Sequence, residues 1–267
     1  MTVISDSVLT SILWHQENMD VLGQGVNLDM QVAVGRRLAG VSVPFLGVSA
    51  PTVMALVPTL TIQPTVIVEM GYNDDPSLFR GEAEQAVDLL VARGAQRIIW
   101  VTLAESKPEF ASMNKDLQAL LLVHPQLTLA DWNLYSQGHN DWFQTDHLHL
   151  MPAGGFGMAT LLHAALVSPL AGSGTNVSLP RATQKRPFAV TVKAPGGSGP
   201  FVWSTVAGVL PRGLSLSRTG TVSGVPQQAG SFVVDLTFET ATAQIGDVRL
   251  TVNVARAQHK AKPRKQH

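Results

Sequence analysis

Short apolar, β-branched runs alternate with longer stretches of helical periodicity along the first two-thirds of the chain. The runs are Thr2–Ile4, Met30–Val34, Thr65–Met70, Arg97–Leu103 and Leu127–Trp132. Each is short and nearly continuous in its hydrophobicity, as expected of strands buried on both faces rather than strands with one wet side. Between them, Val8, Leu9, Ile12 and Leu13 share one helical face, and Ala83, Val87, Leu90 and Val91 share another, with Gly94 placed to end that helix. Leu117, Leu120, Leu121 and Val123 supply a third, stopped by Pro125, and Ala159, Leu161, Leu162, Ala165 and Leu166 a last one. Buried strands joined by helices predict an α/β fold over residues 1–168. Its parallel sheet is covered on both faces, and its working site lies outside the carboxyl ends of the strands.

The periodicity then changes. Leu170 to Ser178 is rich in Gly, Ser, Thr and Asn and reads as a linker, taken as residues 169–177. Alternating segments follow at Phe188–Val192, Phe201–Ser204, Ser231–Phe238 and Val248–Val254, separated by turn residues such as Pro195-Gly196-Gly197 and Thr219-Gly220. Short strands at this spacing predict a small all-β sandwich over residues 178–256. Residues 257–267 form a basic tail, read as a solvated disordered end, with an electrostatic anchor to an anionic surface as the lesser alternative.

Composition narrows the function classes. The chain has 267 residues, 45% hydrophobic and 14% charged, so a sizeable core is available. Lys+Arg and Asp+Glu are 19 each, and this balance gives no electrostatic case for nucleic acid as a partner. The absence of cysteine excludes disulfides, thiolate catalysis and Cys-type zinc sites. No apolar run approaches the ~18 residues of a spanning helix, so no membrane span is expected. Met1 to Ile4 lacks the features of a signal peptide, which leaves a cytoplasmic protein or a missing upstream export segment, the latter favoured by the abrupt first strand.

Three short segments could carry chemistry. Ser5-Asp6-Ser7-Val8 ends the first strand and opens the first helix, where orphan amides and the helix dipole favour developing negative charge. Gly71-Tyr72-Asn73-Asp74 follows the third strand, so the Asn73 amide could face an oxyanion. Asp146-His147-Leu148-His149 precedes Pro152 and the last helix, with a carboxylate three residues before a general base. Taken singly, these also read as an N-cap, a turn and a polar loop. His147 beside Asp146 and His149 raises a metal as a lesser alternative. Asp131 competes with Asp146 for the carboxylate role, with Asp74 and Asp75 nearby. Trp132, Trp142 and Phe143 read as pocket lining or core, and Arg36 and Arg37 as solvated loop charges, with a contact to an anionic substrate as the lesser alternative.

Together and in this order, the segments resemble the SGNH/GDSL hydrolase family over residues 2 to about 167. The family's Gly-Asp-Ser-Leu block appears as Ser5-Asp6-Ser7-Val8, its Gly-x-Asn-Asp block as Gly71-Tyr72-Asn73-Asp74, and its Asp-x-x-His block as Asp146 to His149; Gly35 matches the glycine of the second block. The resemblance implies a three-layer, flavodoxin-like, five-stranded parallel sheet. It also implies catalytic Ser7, Asp146 and His149, with an oxyanion hole from Ser7, Gly35 and Asn73. The implied activity is hydrolysis of small acyl esters, including acylated carbohydrates, without metal or organic cofactor.

Leu210-Pro211-Arg212-Gly213-Leu214, Thr219-Gly220-Thr221-Val222-Ser223-Gly224-Val225-Pro226 and Ala229-Gly230-Ser231-Phe232 resemble Ig-like, cadherin-like repeats of bacterial surface proteins. That resemblance implies a spacer or glycan-binding module and an extracellular or cell-surface location, cytoplasm remaining open. Two alternatives stand beside the esterase: an acyltransferase using the same residues, and a surface glycan-binding protein without catalysis.

Overall fold

Five parallel strands position the candidate chemistry. The computed structural model describes residues 1–167, 175–195, 199–240 and 243–257. Most of the expected linker, the Gly196-Gly197 turn and the basic tail from residue 258 lie outside the described residues.

The first part of the chain runs β1 (Thr2–Ser5), α1 (Thr10–Leu13), α2 (Gln16–Leu22), β2 (Asp29–Val32), α3 (Val53–Leu56), β3 (Thr65–Glu69), α4 (Phe79–Ala92), β4 (Arg97–Val101), α5 (Pro108–Leu121), β5 (Leu127–Ala130), α6 (Trp132–Tyr135) and α7 (Pro152–Val167). The strands lie in the order β2-β1-β3-β4-β5, each pair parallel, with Ile4 opposite Gln31 on one side and Val68 on the other. Successive strand residues face opposite layers. Ile4, Val66, Val68, Ile98 and Trp100 pack with α4 and α5, while Val3, Ile67 and Ile99 pack against α1 and α7. From β1 the chain steps first to one side and then, at β3, to the other. The order therefore reverses at β1, where α/β sheets open a crevice.

The remainder is all β: β6 (Thr175–Ser178), β7 (Ala182–Thr183), β8 (Phe188–Thr191), β9 (Val202–Gly208), β10 (Leu214–Leu216), β11 (Thr221–Gly224), β12 (Gly230–Glu239) and β13 (Gln244–Ala255). β9, β12 and β13 are antiparallel neighbours, with β6 and β7 parallel to β13; β10, β11 and β8 form a second antiparallel sheet. Trp203, Val222, Leu236, Phe238, Leu250 and Val252 fill the space between. The sheets of the two parts are continuous among the described residues: Gln244 and Ile245 pair with Ala130 and Leu129 of β5.

The strands end earlier than their apolar runs. Met70, Leu103 and Trp132 are buried but lie beyond β3, β4 and β5, and Asp131 turns the chain by accepting the Leu134 N–H at 3.1 Å as the N-cap of α6. The helix expected from Val8 to Leu13 is only Thr10–Leu13, and Leu13 is exposed. The polar stretch that forms α2 gave no periodic signal, because it buries only Asn18 and Leu22.

Candidate active site

β1 delivers Ser7 to the point where the strand order reverses. Asp6, wholly buried, accepts the Val8 N–H at 2.9 Å and bends the chain out of the strand. The Ser7 carbonyl accepts the Thr10 N–H at 3.2 Å, so a turn separates Ser7 from α1 rather than Ser7 opening the helix itself. Ser7 itself is nearly buried.

His149 arrives on the loop that enters α7. The loop is closed on itself: Phe143 bridges Leu150, the Gln144 N–H donates to the His149 carbonyl at 2.8 Å, and the Met151 N–H to that of Trp142 at 2.8 Å. Asp146 Oδ1 accepts the Leu148 and His149 amides, both at 3.0 Å, and its Oδ2 lies 2.6 Å from His149 Nδ1. His149 Nε2 lies 2.9 Å from Ser7 Oγ. With Nδ1–H held by the carboxylate, Nε2 is left to accept the serine proton. Burial pushes the Asp146 carboxyl up, but the ring and two amide hydrogen bonds outweigh it and hold the group below its ordinary value. His147 is exposed at φ +55°, and among the described residues no group of three His, Asp or Glu side chains is arranged to hold a metal ion.

The expected oxyanion donors come from the strands on either side of β1. Asn73 follows β3, and its Nδ2 donates to Asp6 Oδ2 at 3.0 Å. Gly35 follows β2 at φ +71°, and a Cβ there would lie 2.1 Å from the Val43 carbonyl oxygen, so only glycine fits. The Ser7 and Gly35 amides have no protein acceptor among the described residues.

Under these groups lie charges that do not reach the surface. Glu69, at the end of β3, accepts the Ser5 hydroxyl at 2.7 Å and contacts Asp6. Burial raises Asp6 to about 6 and, together with the neighbouring Asp6, raises Glu69 well above the usual carboxylate range. Arg36 is not a solvated loop charge: it is 4% exposed, donates to the Gln31 carbonyl and faces Asp6, whose charge offsets part of its desolvation. Burial lifts Asp74 to about 7 although it accepts the Leu38 N–H at 2.7 Å.

Other candidates fall away. Asp131 spends its Oδ1 on the Thr102 hydroxyl and the α6 amide. Trp132 is fully buried, stacked on Trp142 at 5.7 Å and against Phe143 at 5.9 Å, a core beneath the His149 loop rather than a pocket wall. A cavity of about 150 Å³ adjoins His149, bordered by Thr10, Ser11, Trp14 and Met151, with Trp14 72% exposed. A larger cavity of about 530 Å³ lies between α5 and strands β9 and β12; Asp131 borders it, whereas Ser7, Asn73, Asp146 and His149 do not. Sequence reasoning missed Glu69 and the burial of Arg36. The available signal was a carboxylate inside the apolar run Thr65–Met70.

Residues 170–255 match the family model described as "Putative Ig domain". The chain is also similar to proteins named "Putative O-acetyltransferase" from Staphylococcus aureus strains MSSA476 and MW2. Each is 33% identical over 85 residues, 32% of this chain and 13% of the relative. The match thus spans about one-eighth of those relatives' length. Among solved structures, a putative alpha-galactosidase of Bacteroides fragilis NCTC 9343 is 28% identical, with 28% of this chain and 15% of that one covered and a TM-score of 0.25. The PKD domain of the KIAA 1837 protein is 16% identical, with 33% and 85% covered and a TM-score of 0.20. No helix among the described residues is long and apolar enough to cross a membrane.

Proposed function

We propose that the chain is a serine acyl-ester hydrolase of the SGNH/GDSL kind, with residues 1–168 carrying the chemistry. His149 takes the proton of Ser7, whose Oγ attacks the ester carbonyl. The imidazolium, steadied by Asp146, returns the proton to the departing alcohol, and water then releases the acyl group by the same route. The Ser7 and Gly35 amides and the Asn73 side chain hold the oxyanion. The observation that carries the reading is the continuous Asp146–His149–Ser7 chain of hydrogen bonds at 2.6 and 2.9 Å, between groups 142 residues apart in sequence. The strand order with its reversal at β1 supports the flavodoxin-like arrangement that this family implies.

Substrates are small acyl esters, including O-acetylated carbohydrates. The Ig-like region serves as a spacer or glycan-binding module on an exported or surface protein. A second reading, O-acyl transfer to a sugar hydroxyl in place of water, is favoured by the names of the Staphylococcus aureus relatives. Wild type should hydrolyse an aryl acetate and be labelled by a fluorophosphonate. Ser7→Ala should lose both, the rate falling at least ~10³-fold, with its circular dichroism unchanged. Full activity in that variant removes the proposal. Product analysis with added sugar acceptors separates transfer from hydrolysis.

A further inference from the structure

Two carboxyl groups lie directly behind the nucleophile, and the reaction just described uses neither. Asp6 is 0% exposed and Glu69 is 1% exposed, and their side chains are in hydrogen-bonding contact. Two ionised carboxylates cannot share a dry site, so near neutral pH the pair holds a proton. The contacts decide where it sits. Asp6 receives two N–H donors, from Val8 at 2.9 Å and Asn73 at 3.0 Å, both of which favour its charged form. Buried Arg36 adds a favourable charge. Glu69 receives only the Ser5 hydroxyl, at 2.7 Å, and faces the charges of Asp6 and Asp74. His149, Asp74 and Tyr72 are further titratable groups that interact with Asp6.

We propose that Glu69 is a positioning residue: a neutral acid that donates its proton to Asp6 and locks the carboxylate holding the Asn73 amide. Asn73 Nδ2 carries two hydrogens. One is committed to Asp6, so the orientation of Asp6 sets where the second points. With Asp6 fixed, that second N–H is kept on the oxyanion position before substrate arrives, which is where preorganised donors gain their effect. The inference rests on the hydrolase reading and adds to it the device that aligns one oxyanion donor.

The test compares full-length wild type, Glu69→Gln and Glu69→Ala, with Ser7→Ala as the activity control. A glutamine at position 69 can accept from Ser5 through its carbonyl and donate to Asp6 through its amide, as the neutral acid does. Glu69→Gln should therefore keep kcat within about threefold of wild type. Glu69→Ala should lower kcat about 10–100-fold with KM nearly unchanged, a fraction of the ~100–1000-fold typical of losing a donor outright. In mildly alkaline buffer, the infrared carbonyl stretch of an un-ionised carboxyl should be present in wild type and missing from both Glu69 variants. Absence of that band from wild type overturns the shared proton. A glutamine variant as impaired as the alanine variant, or a folded alanine variant with full kcat, overturns the alignment. A wild type without Ser7-dependent turnover sinks the hydrolase reading and the alignment with it, while the infrared band still reports on the proton.

Discussion

At the scale of single residues, three carboxyl groups near Ser7 are tuned apart by their surroundings. Asp146, at the surface, collects the ring N–H and two amides and stays ionised. Asp6 and Asp74, buried, are pushed up to about 6 and about 7. For Asp74 the consequence for stability has a definite sign. Its folded value exceeds the unfolded value near ~3.9, so between about pH 4 and pH 7 the native state holds a proton that the unfolded chain has released. Stability therefore falls as pH rises through that window and levels off above it. Asp74→Asn keeps the acceptor for the Leu38 amide and cannot ionise. Relative to wild type it should gain on the order of 1–4 kcal/mol between about pH 4 and pH 8, read by urea unfolding at both ends. Because Asp74 Oδ2 has no partner, the new NH₂ group will shift both ends by a constant penalty, and the slope is the test. Parallel pH profiles would show that Asp74 is not perturbed.

At the scale of elements, α7 decides where His149 sits. Its first turns carry Gly154, Gly155 and Gly157, a costly choice for a helix, at ~1 kcal/mol per glycine against alanine. Close packing explains the choice. A Cβ on Gly154 would meet the Trp142 carbonyl oxygen at 2.2 Å, and one on Gly155 would meet Ser11 Oγ at 2.4 Å. The helix thus presses on α1, which follows Ser7, and on the loop that holds His149. Gly154→Ala gains helix propensity but clashes with backbone that cannot swing aside. Overpacking of that kind costs ~1–3 kcal/mol and outweighs the gain. Denaturant unfolding should show net destabilisation, and kcat should fall because the Trp142–Met151 loop is displaced. A stabilised variant of full activity would show that the contact is loose.

At the scale of the whole molecule, β13 covers an edge. Without it, β5 would present unpaired backbone groups at the side of the parallel sheet, a liability in any sheet protein. Gln244 and Ile245 pair with β5, the Asp131 N–H donates to the Ala243 carbonyl at 2.7 Å, and buried Ile245 joins the core formed by Trp100, Leu117 and Leu129. A residue far down the chain, in the region matched by the Ig family model, thereby belongs to the core of the α/β part. Ile245→Ala should cost ~2–4 kcal/mol, a fall of roughly 2–4 °C in Tm for each kcal/mol, despite a distance in sequence of more than a hundred residues from its neighbours. An unchanged Tm would mean that the two parts merely touch.

What the sequence determined by itself is what local rules encode. Continuous apolar runs marked all five parallel strands, helical spacing marked α4, α5 and α7, and turn-punctuated alternation marked the all-β region. Ser7, Asn73, Asp146 and His149 were legible because each sits in a short motif beside a recognisable strand end or helix start. Tertiary structure alone decided the rest, because burial and contact across the sheet have no local signature. Arg36 looked like a loop charge until packing closed over it, and Glu69 looked like one polar residue in an apolar strand until Asp6 met it from β1. The pairing of β13 with β5 joins segments separated by over a hundred residues and depends on which sheet edge was left open. Which groups share a proton, and which edge is covered, follow from distances in space that the order of residues does not contain.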